Sequence, residues 1–407
     1  FDLDAVKNDP ELRTKISNFV SLLSTGDKAA LAYTQNIFDR KPPLSTEKIK
    51  DVFDKLTSMM NTSYDPKVGN TKELVISALH DVSMPSDISQ EGIGTCVGTS
   101  IQIQLAIRNP SEYLNMLDTL AQNKIYTSIT GANIPPNFTF TDEGIEKNLD
   151  TGRTISAKIM QNAIMDFSDM NTRDFNSAKG DGGLNYIQTV KGLKEIVNTN
   201  VETSYVWDYT PEQLINTLKN SKPDRSNPIE ISMSYEPNGR DSIHSVNVIN
   251  ISDNQVTIVN PWGREETFPN DELNKRILSV SAPVNTDRGV IKVNVTDQVL
   301  KNKIADNNTK LDALKNISVE QKIEIVRNIT SGWDGNKFSI KSDIPQSDRI
   351  VVINILDDLL KQGTAQNNVW LPRLKFFAPD MADFLNKVQV NNETFTKLST
   401  KLLSNQT

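Results

Sequence analysis

Gln90-Glu91-Gly92-Ile93-Gly94-Thr95-Cys96-Val97-Gly98-Thr99-Ser100 holds the single cysteine of the chain, and its continuation to Arg108 decides the fold. Glycines at 92 and 94 permit a tight backbone approach just ahead of the thiol. Ile101-Gln102-Ile103-Gln104-Leu105 alternates as a strand would. Ala106, Ile107 and the length of the run favour instead a buried helix whose first turn carries Cys96. A helix N-terminus favours an anion, so a thiol held there is expected to have a lowered pKa and a larger share of thiolate.

Working outward, Ile243-His244-Ser245-Val246-Asn247-Val248-Ile249-Asn250-Ile251 alternates with period two and begins next to a histidine. Gln255 to Val259 forms a second such run, ending at Asn260-Pro261-Trp262-Gly263, and Ser252 to Asn254 is the turn between them. A hairpin centred on Asp253 places His244 opposite Trp262. Asn260 is then a diagonal neighbour on the face of His244, within reach of a side-chain hydrogen bond. That arrangement sets a general base beside a group able to orient it, with the thiol of the helix completing the set.

Composition narrows the rest. A chain of 407 residues is long enough for two or three domains. Its formal charge of −7 lacks the basic excess of a nucleic-acid footprint. No window reaches the ~18 uninterrupted apolar residues of a spanning helix; the strongest run, Ile350 to Leu356, is broken by Asn354. One cysteine excludes an intrachain disulfide, and with two histidines it excludes a zinc site of four Cys/His ligands. A carboxylate-only metal site stays open, but no EF-hand-type calcium loop is present, and neither metal nor cofactor is expected. No signal peptide is legible. The abundance of Asn gives Asn137 and Asn328 no glycosylation reading.

Residues 1–70 read as helical, with Val6, Leu12, Ile16, Val20 and Leu23 at three- and four-residue steps. Lys41 to Pro43 breaks this stretch, and Ser45 with Glu47 starts a second helix over Thr46 to Met60. Residues 71–295 mix helical and β-rich runs, with a helical insertion at about 109–178. The clearest strands are Ile229 to Tyr235, Ser245 to Ile251, Gln255 to Asn260 and Gly289 to Val295. Residues 296–407 return to helical periodicity at Val319 to Ile329, Ile350 to Lys361 and Met381 to Val388, around a Trp-containing loop at Ser331 to Asn336. The fold class expected is α+β, a nucleophile helix against a twisted antiparallel sheet between helical flanks. His80 carries no partner motif and reads as structural.

A Gln six residues before Cys96, then His244, then Asn260-Pro261-Trp262-Gly263 sixteen residues later, resembles the papain-fold cysteine peptidases. Asn-Pro-Trp-Gly followed by Glu265-Glu266, and the Gln90 to Cys96 string, are most similar to the calpain branch. The resemblance spans roughly residues 75 to 295 by order of elements and about twenty residues by motif. It implies that Cys96 is the nucleophile and that His244 is its ion-pair partner and the acid for the leaving amine. Asn260 would fix the imidazole, and Trp262 would shelter that bond at the substrate site. The Gln90 amide and the Cys96 N–H would form the oxyanion hole. Gly182-Gly183 would be the substrate-docking glycines. Val97 departs from the Trp usual after the nucleophile, and Gly182-Gly183 lies farther from the Cys than in short family members; Ser245 fits the small residue usual after the His.

The function implied is a thiol peptidase acting on a protein or peptide substrate through an acyl-enzyme. Two alternatives keep the same residues: a glutamine-directed acyl transferase or deamidase, and a non-catalytic binding protein with a partner at the helical flanks. Relatives of the transferase type commonly use Asp as the third member, so Asn260 favours the peptidase. Helical flanks on such a core suit a delivered bacterial effector or toxin, or an intracellular processing enzyme, so the compartment is left open.

Overall fold

The N-terminal helices begin where the sequence supplies caps. In a computed structural model, α1 (Pro10–Ser21) starts at Asp9, whose carboxylate accepts from the Leu12 N–H at 2.9 Å. The model describes residues 6–138 except 25, then 152–169, 182–184, 186–205, 209–235 and 242–287, with 330–334 and 337–340 described by backbone. A second helix, α2 (Lys28–Asp39), lies within the stretch that reads as one helical texture, and it buries Ala30, Thr34 and Ile37. α3 (Thr46–Met60) starts at Ser45 and buries Ile49, Val52, Phe53, Leu56 and Met59 along one stripe. α4 (Thr71–Ser83) is capped by Asn70, which accepts from the Lys72 and Glu73 N–H groups.

The segment after Cys96 is helical, as the run length favours. In α5 (Cys96–Arg108), twelve of thirteen residues are buried, so the helix is enclosed on every side. This explains the strand-like alternation. Gln102 and Gln104 are core residues with partners: Gln102 Nε2 donates to Tyr113 Oη at 2.9 Å and Gln104 Nε2 to Asn247 Oδ1 at 2.8 Å. A helix without a solvent face has no need of a 3.6-residue polar period. Around it pack α4, α6 (Pro110–Ala121), α7 (Ile155–Ser168) and α8 (Tyr186–Glu195). A small hairpin, β1 (Tyr126–Thr127) with β2 (Asn133–Ile134), lies between α6 and α7 in sequence. Buried Arg40 donates to Val82, Ala106 and Ile107 carbonyls, placing one cation at the C-terminal ends of both α4 and α5; burial lowers its pKa to about 10.

A six-stranded sheet faces these helices. With β3 (Val201–Tyr205), α9 (Pro211–Asn220), β4 (Ile229–Tyr235), β5 (Ser242–Ile251), β6 (Gln255–Asn260), β7 (Arg264–Pro269), α10 (Asn270–Arg276) and β8 (Ile277–Pro283), its order is β3-β8-β4-β5-β6-β7. The pairs from β8 through β7 are antiparallel. The class is therefore α+β. β4 and β6 have the bounds the alternation predicts, and β5 begins three residues earlier. Asn247 pairs with Val259 and Val248 with Ile258, the register of a hairpin centred on Asp253; a bulge before Asn250 shifts it by one towards the turn.

Two compact units divide the chain: Phe1–Thr203 with Ile215–Pro237 and Ser242–Asp287, and Ser204–Leu214 with Asn238–Asp241 and Arg288–Thr407. The second contains a hairpin of β9 (Thr330–Asp334) and β10 (Lys337–Ile340), with Phe338 opposite Trp333. This corrects the loop reading of Ser331 to Asn336: residues 331–334 are strand, and Trp333 has a cross-strand partner. The strand expected at Gly289 to Val295 and the three C-terminal helices lie outside the described residues.

Candidate active site

A polar stripe on α5 ties the helix of the thiol to the strand of the imidazole. Cys96, Ser100, Gln104 and Arg108 recur every fourth residue and so share one helix face. Ser100 Oγ donates to the Ser245 carbonyl at 3.1 Å, and Asn247 Nδ2 donates to the Ser100 carbonyl at 3.0 Å. Gln104 Nε2 takes Asn247 Oδ1, and Arg108 bonds Asn227 Oδ1 and the Pro228 carbonyl. At roughly 1 kcal/mol net per buried bond, the seam contributes several kcal/mol and, more to the point, fixes the register of helix on strand. One turn before Ser100, Cys96 stands on that same face, and the backbone N–H of Ser245, the residue after His244, acts to lower the pKa of its thiol.

The start of α5 is left open. Thr95, its N-cap, makes no capping bond; its hydroxyl donates to Gln161 Oε1 at 2.8 Å instead. The Cys96 and Val97 N–H groups act to lower the thiol pKa. Yet the thiol pKa is raised, not lowered. Burial dominates, the Ser245, Val97 and Cys96 N–H groups oppose it, and the carboxyl of buried Glu230 adds to the rise. The expectation of a depressed thiol pKa is thus corrected: with Cys96 only 9% exposed, desolvation outweighs the helix terminus.

His244 sits at the beginning of β5, and by alternation it shares a face with Asn260 rather than with Ser245 and Asn247. Its Nε2 lies 2.8 Å from Asn260 Oδ1. Asn260 is fully buried and has a fixed amide orientation: Oδ1 also accepts from the Trp262 N–H at 3.2 Å, and Nδ2 donates to Glu266 Oε1 at 2.9 Å. Oδ1 can only accept, so His244 Nε2 must carry the proton, and the basic lone pair lies on Nδ1. Trp262 stacks on the ring at 4.8 Å with planes 27° apart, and the Arg264 guanidinium lies over the indole, 5.6 Å from its centroid. Burial lowers the imidazole pKa; the Asn260 bond and the Glu266 charge act against this, and Arg264 with it.

Gln90 joins the cluster through backbone. Its N–H donates to the Pro261 carbonyl at 2.7 Å, Ser89 bridges Trp262, and its Nε2 donates to the Ile93 carbonyl at 2.7 Å. Gly263 makes the stitch feasible. It has φ +72°, and a Cβ there would lie 2.9 Å from the Asp87 carbonyl oxygen. The Asn-Pro-Trp-Gly turn therefore ties the Gln90 segment to the loop that follows Asn260. Gly182-Gly183 arrives at the same loop: the Gly183 N–H donates to the Gly94 carbonyl at 2.9 Å, and a Cβ on Gly94 would lie 3.0 Å from Gly182 Cα.

Sequence reading missed Glu266 and Arg264 as members of the site. The signal was present: the tight turn pairs Asn260 with Arg264 and Ile258 with Glu266, so both side chains flank Asn260 on its own face. His80 is placed elsewhere, bonded to Asp81 at 3.0 Å. No group of His, Cys, Asp and Glu suited to a metal occurs among the described residues, and no helix there is long and apolar enough to cross a membrane. A cavity of ≈ 340 Å³ lies at the other end of α5, lined by Gln104, Arg108 and Lys222, apart from the cysteine. Protein-family models, curated proteins and solved structures offer no match to this chain.

Proposed function

We propose that this chain is a cysteine peptidase of papain-like architecture, cleaving a protein or peptide substrate through an acyl-enzyme. The observation that carries the reading is the His244–Asn260–Trp262 unit, with its Nε2–H tautomer fixed, on the strand to which the Cys96 helix is hydrogen-bonded at Ser245 and Asn247. Burial favours a neutral thiol beside a neutral imidazole in the free protein. Substrate binding then triggers the transfer: the Cys96 S–H proton passes to His244 Nδ1 as sulfur attacks the scissile carbonyl carbon. Asn260 and the nearby Glu266 charge stabilise the imidazolium. Negative charge on the carbonyl oxygen falls to the N–H of Cys96 at the open helix end and to the second amide proton of Gln90. Collapse breaks the C–N bond, the leaving amine takes the proton from Nδ1, and a thioester remains. Water, deprotonated by His244, releases the acid and restores the thiol. Gly182-Gly183, bonded to Gly94, would dock the substrate backbone.

The test is turnover of a denatured-protein or peptide-library substrate, read by mass spectrometry in ¹⁸O water. Peptidase action leaves new C-termini carrying ¹⁸O, absent with Cys96→Ala. Deamidated glutamine or amine adducts without chain cleavage would instead establish the acyl-transfer alternative.

A further inference from the structure

In the roles assigned above Glu266 acts only as a nearby charge, yet its carboxylate is tied down behind the histidine by two hydrogen bonds. Oε1 accepts from Asn260 Nδ2 at 2.9 Å and from Arg264 Nε at 2.6 Å. Its side chain is 21% exposed, against 56% for Arg264. An amide beside an imidazole can face it with oxygen or with NH₂, and the two choices select opposite tautomers. With oxygen forward, Nε2 carries the proton and Nδ1 is basic; with NH₂ forward, Nε2 becomes the acceptor and Nδ1 holds the proton. Only the first leaves Nδ1 able to take a proton from a thiol. Two groups hold the oxygen forward: the Trp262 N–H, at 3.2 Å, and the Glu266 carboxylate, through a shorter, charge-assisted bond.

We infer that Glu266 is a positioning residue that locks the Asn260 amide and thereby the Nε2–H tautomer of His244, extending the site to Cys96–His244–Asn260–Glu266. It touches no reacting atom. The inference deepens the peptidase reading and rests on it for its consequence, but the tautomer is a property of the resting protein and is measurable without turnover. Among the described residues, Glu266 and Arg264 of β7 are the charged groups that act on the ring, and Glu230 of β4 acts on the Cys96 thiol of α5. Of these, Glu266 alone bonds the group that bonds the imidazole.

The chain has two histidines, so ¹⁵N long-range correlation spectra of the full protein show two imidazoles, and His80→Gln identifies which is which. In the wild type, neutral His244 is expected as the Nε2–H tautomer. Glu266→Gln still offers an oxygen to Asn260 Nδ2, so it should keep that tautomer while lowering the His244 pKa. Glu266→Leu removes the acceptor, and a measurable share of Nδ1–H should appear with a proportionate fall in kcat at little change in KM. An unchanged tautomer and pKa in folded Glu266→Leu would overturn the inference, whatever the activity. If Glu266→Leu does not fold, an unshifted His244 pKa in Glu266→Gln overturns it equally. Loss of the Nε2–H tautomer without any peptidase activity in the wild type would keep the inference and remove the peptidase reading.

Discussion

The two histidines of the chain make a natural comparison. Both are largely buried, both contact an aromatic ring (His80 edge-on to Tyr33, His244 stacked on Trp262), and both bond an oxygen within 3.0 Å. They differ in what holds that oxygen. His80 meets a carboxylate, Asp81, which also accepts from Tyr113 Oη and Ser156 Oγ, each at 2.6 Å. Burial pulls the His80 pKa down, but Asp81, by hydrogen bond and charge, with Asp87, outweighs it, and the net direction is up. His244 meets a neutral amide, its carboxylate stands one residue further back, and burial prevails, so the direction is down. A carboxylate in direct contact shifts a histidine towards its cationic form; a carboxylate relayed through an amide fixes its geometry and lets burial shift it towards the neutral form, able to take up a proton.

The largest expected effect sets the two apart by activity. His244→Ala should lower kcat/KM by about 10³-fold or more, since base and acid are lost together. His80→Ala should leave it within about threefold while costing ~1–3 kcal/mol of stability, because Asp81 Oδ1 loses its His80 partner. Turnover assays with parallel thermal melts check both, and equal losses of activity would erase the distinction. Next, Gln90→Ala should lower kcat by about 10²–10³ with KM nearly unchanged, because an oxyanion donor acts mainly in the transition state. Steady-state kinetics decide it. Gly263→Ala acts through the fold: the left-handed conformation and the Asp87 contact together should cost ~1–3 kcal/mol, read by urea denaturation, with kcat falling as Gln90 moves.

The smallest effect is the most diagnostic of the comparison. By NMR titration, His80 should titrate above 6.5 and His244 below it, the ordinary value of both. The signs for stability are opposite. His80 favours its charged form when folded, so its contribution is full below 6.5 and lost as pH rises through its folded pKa. His244 favours its neutral form, so its contribution is full above 6.5 and lost as pH falls through its folded pKa. The acid limb of activity should therefore lie below 6.5, where His244 ceases to be a base.

Much of this site was legible because hairpin geometry is arithmetic. A turn at Asp253 dictates which residues oppose which, and the His244–Asn260 bond follows from it. Helix α5 was legible only with difficulty, since total burial removes the amphipathic signature and Gln102 and Gln104 mimic the polar face of a strand. Helix α2 was hidden because neighbouring helices share one apolar texture. The thiol pKa was misjudged for another reason: the helix terminus is visible in sequence, whereas the depth of burial is a property of the whole assembly. Glu266 could have been found by extending the register one turn further, from Asn260 across Gly263.

The most direct measurement is the rate at which a peptidyl vinyl sulfone or epoxide alkylates Cys96, followed by intact-protein mass spectrometry at neutral pH. With Cys96 and His244 acting as a proton-transfer pair, wild type should form one adduct, Cys96→Ala none, His244→Ala an adduct about a hundredfold more slowly, and His80→Ala at the wild-type rate. Absence of an adduct on the wild type, or a rate indifferent to His244→Ala, would contradict a catalytic thiol in this chain.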